Sequence, residues 1–163
     1  MRLFGHPVHP IAVTLPLAFL GAVPACDLLA WSGLLADGWL LGHYSIIVGL
    51  LGGAVALASG LSDLLTIEDP DAELSRNALT HAALAVSALV VFVTAFLLRP
   101  EAGAPVSTGV LVLEIVGAAT LGLAGWFGGH LVFEHGVAVR RSRTASAPEP
   151  RNEATGKAEA RTP

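Results

Sequence analysis

Charged residues and cysteine are both scarce in this sequence. Only 13% of its 163 residues are charged, about half the fraction found in a soluble domain, and 53% are hydrophobic. This composition excludes an ordinary water-soluble globular protein. Because Cys26 is the one cysteine, an internal disulfide, a CxxC redox pair and a cysteine-rich zinc module are excluded as well. Six of the nine basic residues lie at or beyond Arg140 and the net charge is -4, so nucleic acid is not an expected partner.

Four apolar runs dominate the rest of the chain, and each is long enough to cross the roughly 30 Å hydrocarbon core of a bilayer as a helix. They cover residues 11–35, 39–65, 79–98 and 108–133. Short connections force neighbouring spans to run antiparallel. The sequence therefore predicts an all-α integral membrane protein, an up-down four-helix bundle over residues 1–139 with both termini on one side. Residues 140–163 form a basic juxtamembrane segment and a polar tail, which we expect to be disordered.

The distribution of arginine predicts the orientation of this bundle. Arg2, Arg76 and the cluster at positions 140, 141 and 143 fall on one side, whereas Arg99 alone falls on the other. Cytoplasmic loops carry the excess of Lys and Arg in membrane proteins. We therefore expect a multi-pass inner-membrane protein with both termini in the cytoplasm and the lipid bilayer as its surroundings.

Ionisable side chains inside membrane spans are costly and by default mark a functional site in the bundle interior. Antiparallel packing brings most of those in this chain to the predicted cytoplasmic end, from all four helices. They are His6, His9, Asp63, His81, His130, Glu134 and His135. The helical period places Asp63 and His81 on inward faces but leaves open whether His130 faces inward. Asp27, His43 and Glu114 lie outside this group and share no evident face.

Three motifs at the ends of the spans contain most of these residues. They are Gly5-His6-Pro7-Val8-His9-Pro10, Ser59-Gly60-Leu61-Ser62-Asp63 and Gly128-Gly129-His130-Leu131-Val132-Phe133-Glu134-His135-Gly136-Val137. Together with His81 they resemble a family of prokaryotic membrane proteins, domain-of-unknown-function family 2231, over about residues 3–139. The resemblance implies a four-helix membrane fold. It also implies redox work, because the family's domain sometimes occurs in one chain with a Rieske-type iron–sulfur domain. This chain lacks the cysteines of such a domain, and Phe133 stands where the family pattern has Tyr.

The group of histidines predicts a metal centre, for which b-type haem is the first candidate. Imidazoles on different helices at one depth can bind haem iron axially, and four-helix bundles hold cofactors between facing helices. We expect His81 and His130 as the first pair of ligands, His9 as the next candidate, and Asp63 as the group that accepts the second ring proton of a ligand. Such a centre predicts a membrane electron-transfer subunit, whose partner is a redox protein or a quinol.

Other classes of function stay open. A non-haem Zn, Cu or Fe ion could bind in a shell of nitrogen and oxygen ligands. The candidate ligands are then His6, His9, Asp63, His81, His130 and His135. Without a metal the same groups would form a proton relay, and a membrane scaffold without cofactor is a third class. A homodimer through the small-residue face around Gly49 and Gly53 is open too. No catalytic residues are predicted, since the sequence has neither an HExxH motif nor a phosphate-binding glycine loop.

Overall fold

The computed structural model describes residues 2–3, 6–65 and 72–134, and these residues form a bundle of long helices. A short hairpin, β1 (Arg2–Leu3) paired antiparallel with β2 (His6–Pro7), precedes them. The helices are α1 (Val8–Ala12), α2 (Thr14–Trp31), α3 (Gly38–Leu64), α4 (Ala72–Leu98) and α5 (Thr108–Phe133). α1 and α2 together form the first span, and each of the four spans is long and apolar enough to cross a membrane.

The four spans pack in a ring around a common axis. α2 packs against α3 and α5, and α4 packs against the same two helices. The first and third spans are therefore diagonal to each other, as in an up-down bundle. The predicted four-helix membrane bundle is confirmed. The predicted tail and the domain boundary at residue 139 lie outside the described residues.

Proline and glycine shape the first span. Pro16 has no amide hydrogen to donate to the carbonyl of Ala12, and its ring crowds that carbonyl. The helix is therefore interrupted at Val13, between α1 and α2. α2 then ends at Trp31 rather than at the predicted residue 35, because Gly33 takes a left-handed backbone with a φ of 77°. The amides that follow close the helix end with Schellman-type hydrogen bonds.

The third span begins earlier than its apolar run indicates. The hydropathy pattern predicts a start at residue 79, whereas α4 begins at Ala72. The two additional turns carry the exposed side chains of Glu73 and Arg76, which a helix tolerates where it emerges from the hydrocarbon into water. Hydropathy therefore marks the membrane-embedded length of this helix rather than its full extent.

The interior of the bundle is apolar in its middle and tightly packed. Leu20, Val23, Ile46 and Phe92 are fully buried there and form one core cluster. Many other large hydrophobic side chains point outward. A lipid-facing surface requires this distribution, because lipid tails are as apolar as a leucine side chain.

The small-residue face of α3 serves packing within the bundle. Gly49 and Gly53 are both buried. Gly49 lies next to Leu20 of α2 and Gly53 next to Leu89 of α4. These glycines let the neighbouring helices of the same chain approach closely.

Candidate functional site

Polar side chains collect at the two ends of the bundle. At the end where α1 begins, His9 of α1 meets His81 of α4; we call this pair the histidine site. At the opposite end, Asp27 of α2, Glu114 of α5 and Arg99, which directly follows α4, form the charged triad. The chain from His81 to Arg99 corresponds to about 27 Å of helix, close to the roughly 30 Å thickness of the hydrocarbon core. The two sites therefore lie near opposite faces of the membrane.

In the histidine site, two imidazole rings meet near the axis of the bundle. Their centroids are 6.1 Å apart and their planes lie at 83° to each other. Both side chains are half-buried. Because the first and third spans are diagonal, this contact bridges the centre of the bundle rather than one helix–helix interface.

Each imidazole is fixed by a hydrogen bond between its Nδ1 atom and a main-chain carbonyl. His9 bonds to the carbonyl of Ala56 on α3 and His81 to that of Ala124 on α5, both at 2.8 Å. A carbonyl can only accept, so the Nδ1–H group donates and the neutral ring has an unprotonated Nε2. An unprotonated ring nitrogen is the atom with which a neutral histidine binds a metal.

A glycine lies one helical turn after each accepting alanine and makes room for the ring, Gly60 on α3 and Gly128 on α5. A Cβ atom on Gly60 would lie 2.7 Å from Cε1 of His9, and one on Gly128 would lie 2.9 Å from Cε1 of His81. Neither distance is tolerated without a displacement. Each ring therefore lies directly against the backbone of a neighbouring helix.

Gly128→Ala is expected to lower the free energy of unfolding by about 1–3 kcal/mol, the usual cost of an additional methyl group in a well-packed interior. The ring of His81 must move to admit the methyl group. Gly129→Ala is the matched control, because an added Cβ there meets nothing within 4 Å. Its expected effect is between zero and a stabilisation of about 1 kcal/mol. SDS denaturation of the detergent-purified variants measures both, and equal effects would contradict the contact between His81 and Gly128.

Asp63 and His6 were predicted to belong to the same site. Asp63 is half-buried on the last turn of α3, three residues after Gly60 and hence on the same side of that helix. His6 belongs to β2, but its side chain and the whole of His135 lie outside the described residues. Within the described part of the chain, no group of three or more His, Cys, Asp or Glu side chains is arranged to hold a metal ion. The described residues thus offer two imidazoles rather than a complete protein ligand shell.

His130 lies on another side of α5 from the histidine site. The helix continues without interruption through the two glycines at 128 and 129, so two residues turn the chain about 200° around the helix axis. Gly128 faces His81, and His130 therefore points away from it. The side chain of His130 is 36% exposed, with Nδ1 3.8 Å from Oε1 of Glu134. The structure thus brings His81 together with His9 rather than with His130.

The charged triad is almost completely buried, with side-chain exposures of 2% for Arg99 and 0% for Asp27 and Glu114. Nη1 of Arg99 donates to Oδ2 of Asp27 at 2.6 Å, and Nη2 donates to Oδ1 at 3.1 Å. Nη1 also donates to Oε1 of Glu114, and Nη2 to the carbonyl of Trp39 at 3.4 Å. Burial lowers the pKa of the guanidinium, but the hydrogen bonds to Asp27 and Glu114 and the attraction to the Asp27 carboxylate outweigh it and raise that pKa overall. Arg99 therefore stays charged inside the bundle.

Two buried polar atoms at this end have no hydrogen-bond partner among the described residues. They are Oε2 of Glu114 and Nδ1 of His43. The His43 ring packs against Phe96, with the ring centroids 5.8 Å apart. Because buried polar groups are nearly always paired, an unpaired carboxylate oxygen is an unusual feature of the triad.

Sequence reasoning missed the charged triad although its signal was present. Asp27 and Glu114 are acidic residues within spans, and such residues pair with one another or with a cation. Arg99 is the one basic residue predicted at that end, but it was interpreted only as a marker of topology. Prolines in the first span make the helical phase of Asp27 uncertain from sequence, and periodicity within one span does not show that side chains of three spans meet.

The bundle consists of two helical hairpins with matching residues, the first formed by α1, α2 and α3 and the second by α4 and α5. Along the first span of each hairpin, three residues recur with identical spacing: His9, Leu20 and Asp27 correspond to His81, Phe92 and Arg99. The second span of each hairpin repeats two glycines at another common spacing: Gly49 and Gly60 correspond to Gly117 and Gly128.

The contacts of these residues repeat as well. Leu20 lies against Gly49, and Phe92 lies against Gly117 in the same way. The corresponding histidines meet at one end of the bundle, and the corresponding Asp27 and Arg99 pair at the other. The hairpins are thus related by a pseudo-two-fold axis along the membrane normal, and both sites lie on the interface between them. In transporters built from repeats, the substrate sites also lie at the repeat interface, but near the bilayer midplane rather than near its faces.

Comparison with models of known protein families yields a match over most of the chain. A family model described as "Predicted membrane protein (DUF2231)" matches residues 5–141. No curated protein and no solved structure matches the chain. The matched range contains all four spans, the histidine site and the charged triad.

Proposed function

The chain belongs to the DUF2231 family of predicted membrane proteins, and on this premise we propose that it binds a redox metal centre between His9 and His81. The observation that carries the proposal is the meeting of two imidazoles from diagonal helices, each with Nδ1 bound to a carbonyl. Histidines that bind metals almost always donate their other ring N–H to a carbonyl or carboxylate. Both rings are therefore held in the tautomer that a metal requires.

The number of ligands favours b-type haem over a bare ion. A Zn ion bound by protein side chains alone takes about four ligands, whereas the described residues supply two. Haem brings its own pyrrole nitrogens and would need only one or two ligands from the protein, which His9 and His81 would supply. A bare Zn, Cu or Fe ion would need additional donors from outside the described residues, such as the His6 side chain.

His9 and His81 lie close enough together that both would hold one metal between them. The centroids of His9 and His81 are 6.1 Å apart.

When bound, the centre would supply one-electron transfer. The chain's own residues orient it: the carbonyls of Ala56 and Ala124 hold the ring protons, and Gly60 and Gly128 leave room for the rings. A single centre near one face of the membrane requires a partner, which we propose to be a redox protein or a quinol. The excess of arginine on the side of the N-terminus supports a cytoplasmic position for both termini and for this end of the bundle.

A reduced-minus-oxidised absorption spectrum of the detergent-purified protein, with elemental analysis of the same sample, tests the proposal. We expect a Soret band and sharp visible bands that shift on reduction, together with near-stoichiometric iron. Stoichiometric zinc, copper or iron without a chromophore would indicate that a bare ion, rather than haem, binds at this site. Protein that contains neither a metal nor a chromophore, although it comes from cells supplied with both, would contradict the proposal. A proton relay or a scaffold would then remain as the function.

A further inference from the structure

We infer that the charged triad is a proton-binding site, with the proton held on the carboxyl group of Glu114. This inference is independent of a metal at the histidine site, which lies at the other end of the bundle. It rests on the balance of buried charge, on one unpaired oxygen atom and on the comparison of the two hairpins.

The balance of charge leaves Glu114 without a counterion of its own. Asp27 and Arg99 occupy corresponding positions of the two hairpins and pair through two hydrogen bonds, so their charges cancel. Glu114 lies as far before Ala124 in the second hairpin as Ile46 lies before Ala56 in the first. Glu114 therefore corresponds to Ile46, which is apolar and fully buried. An ionised carboxylate there would be a surplus buried charge, and a buried group in that situation binds a proton instead.

The hydrogen bonds of Glu114 agree with a protonated carboxyl group. Its Oε1 accepts from Nη1 of Arg99, whereas its Oε2 is buried and unpaired among the described residues. An ionised Oε2 requires a donor, and none of the residues that the structure describes places one beside it. A proton on Oε2 turns that atom into a donor. The carboxylate of Asp27 is a nearby acceptor, because it bonds to the same Nη1 atom.

The helices around Glu114 bring other charged or titratable groups to it. α2 brings Asp27 and its neighbour Cys26, α3 brings His43, and the end of α4 brings Arg99. Arg99 is the one permanent cation among these groups, and Asp27 already neutralises it. The site lies at the end of the bundle, where Arg99 begins the connection to α5, so the membrane face on that side is its source of protons.

Infrared spectroscopy of the detergent-purified full-length protein at neutral pH tests this inference. We expect the C=O stretch of a protonated carboxylic acid in the wild type, shifted in D2O because the proton exchanges. The band is expected to be absent in Glu114→Gln, which keeps the size of the side chain and the acceptor for Arg99. Glu101→Gln is the matched control, because Glu101 is exposed in the connection between α4 and α5, and it should retain the band.

The wild-type spectrum alone can overturn the inference. A wild type without such a band at neutral pH, or with one that does not shift in D2O, contradicts it. A band that persists in Glu114→Gln assigns the proton to another group and contradicts it equally. If Glu114→Gln does not fold, Glu114→Asp replaces it. That variant keeps a carboxyl group, so the band should remain at a shifted frequency, and an unshifted band would contradict the assignment.

Discussion

Arg99→Gln is expected to lower the free energy of unfolding by about 3–5 kcal/mol, the usual cost of removing one partner of a buried ion pair. The substitution leaves the carboxylate of Asp27 in the bundle without a cation. It also removes the donor to Oε1 of Glu114. SDS denaturation followed by circular dichroism measures the loss.

Two comparisons separate the charge effect from a general effect of losing an arginine. Arg76→Gln changes an exposed arginine on α4 and is expected to alter stability by no more than about 0.5 kcal/mol. The double variant Asp27→Asn with Arg99→Gln removes both members of the neutral pair. With a proton on Glu114 it contains no lone buried charge and should recover at least half of the loss. A double variant as unstable as Arg99→Gln alone would contradict this account.

The number and type of the spans could be predicted from the sequence because a bilayer fixes both. A helix that crosses the hydrocarbon must be about 20 residues long and apolar, and four runs meet that condition. The ends of the spans were less predictable, because they depend on local backbone chemistry. Gly33 ends α2 early, and the polar turn around Glu73 lets α4 begin in water, and neither effect is visible in hydropathy.

The histidine site could be predicted in part. The order of the spans alone brings His9 and His81 to one end of an antiparallel bundle. The choice of partner depends on helix rotation, and there the sequence left His9 and His130 as alternatives for His81. The rotation of α5 turns Gly128 rather than His130 toward His81. His9 is therefore the histidine that lies beside His81. The regular course of α5 through two consecutive glycines is a property of the packed bundle, and propensity alone does not give it.

The charged triad could not be assembled from helical periodicity, because each of its members comes from a different span. Alignment of the two hairpin sequences reveals the ion pair of the triad instead. When His9 is aligned with His81, Asp27 is aligned with Arg99, and the two opposite charges face each other across the axis. A pseudo-symmetric bundle therefore carries two kinds of axial contact, one between identical side chains and one between opposite charges. Glu114 takes part in neither kind of contact, because its counterpart in the first hairpin is the apolar Ile46, and its carboxyl group therefore holds the proton.

Removal of either imidazole of the histidine site is expected to have the other large effect, a loss of bound cofactor. His81→Ala and His9→Ala are each expected to lower the content of bound haem or metal at least ten-fold, since even an indirect partner of a metal ligand is worth about 10- to 100-fold in affinity. The absorption spectrum and elemental analysis of the purified variants measure the loss. Each variant also loses one hydrogen bond to a main-chain carbonyl, worth about 1 kcal/mol, so membrane insertion and helix content should persist.

Two further histidine variants decide between the alternatives. His43→Ala changes a half-buried histidine at the opposite end of the bundle and should leave the content of the centre unchanged; a loss equal to that of His81→Ala would indicate a general effect on folding. His130→Ala distinguishes the two ligand pairs. Because His130 points away from His81 on α5, its removal should also leave the centre in place. Loss of the centre in His130→Ala but not in His9→Ala would assign the ligands to His81 and His130 and contradict the pair that the structure brings together.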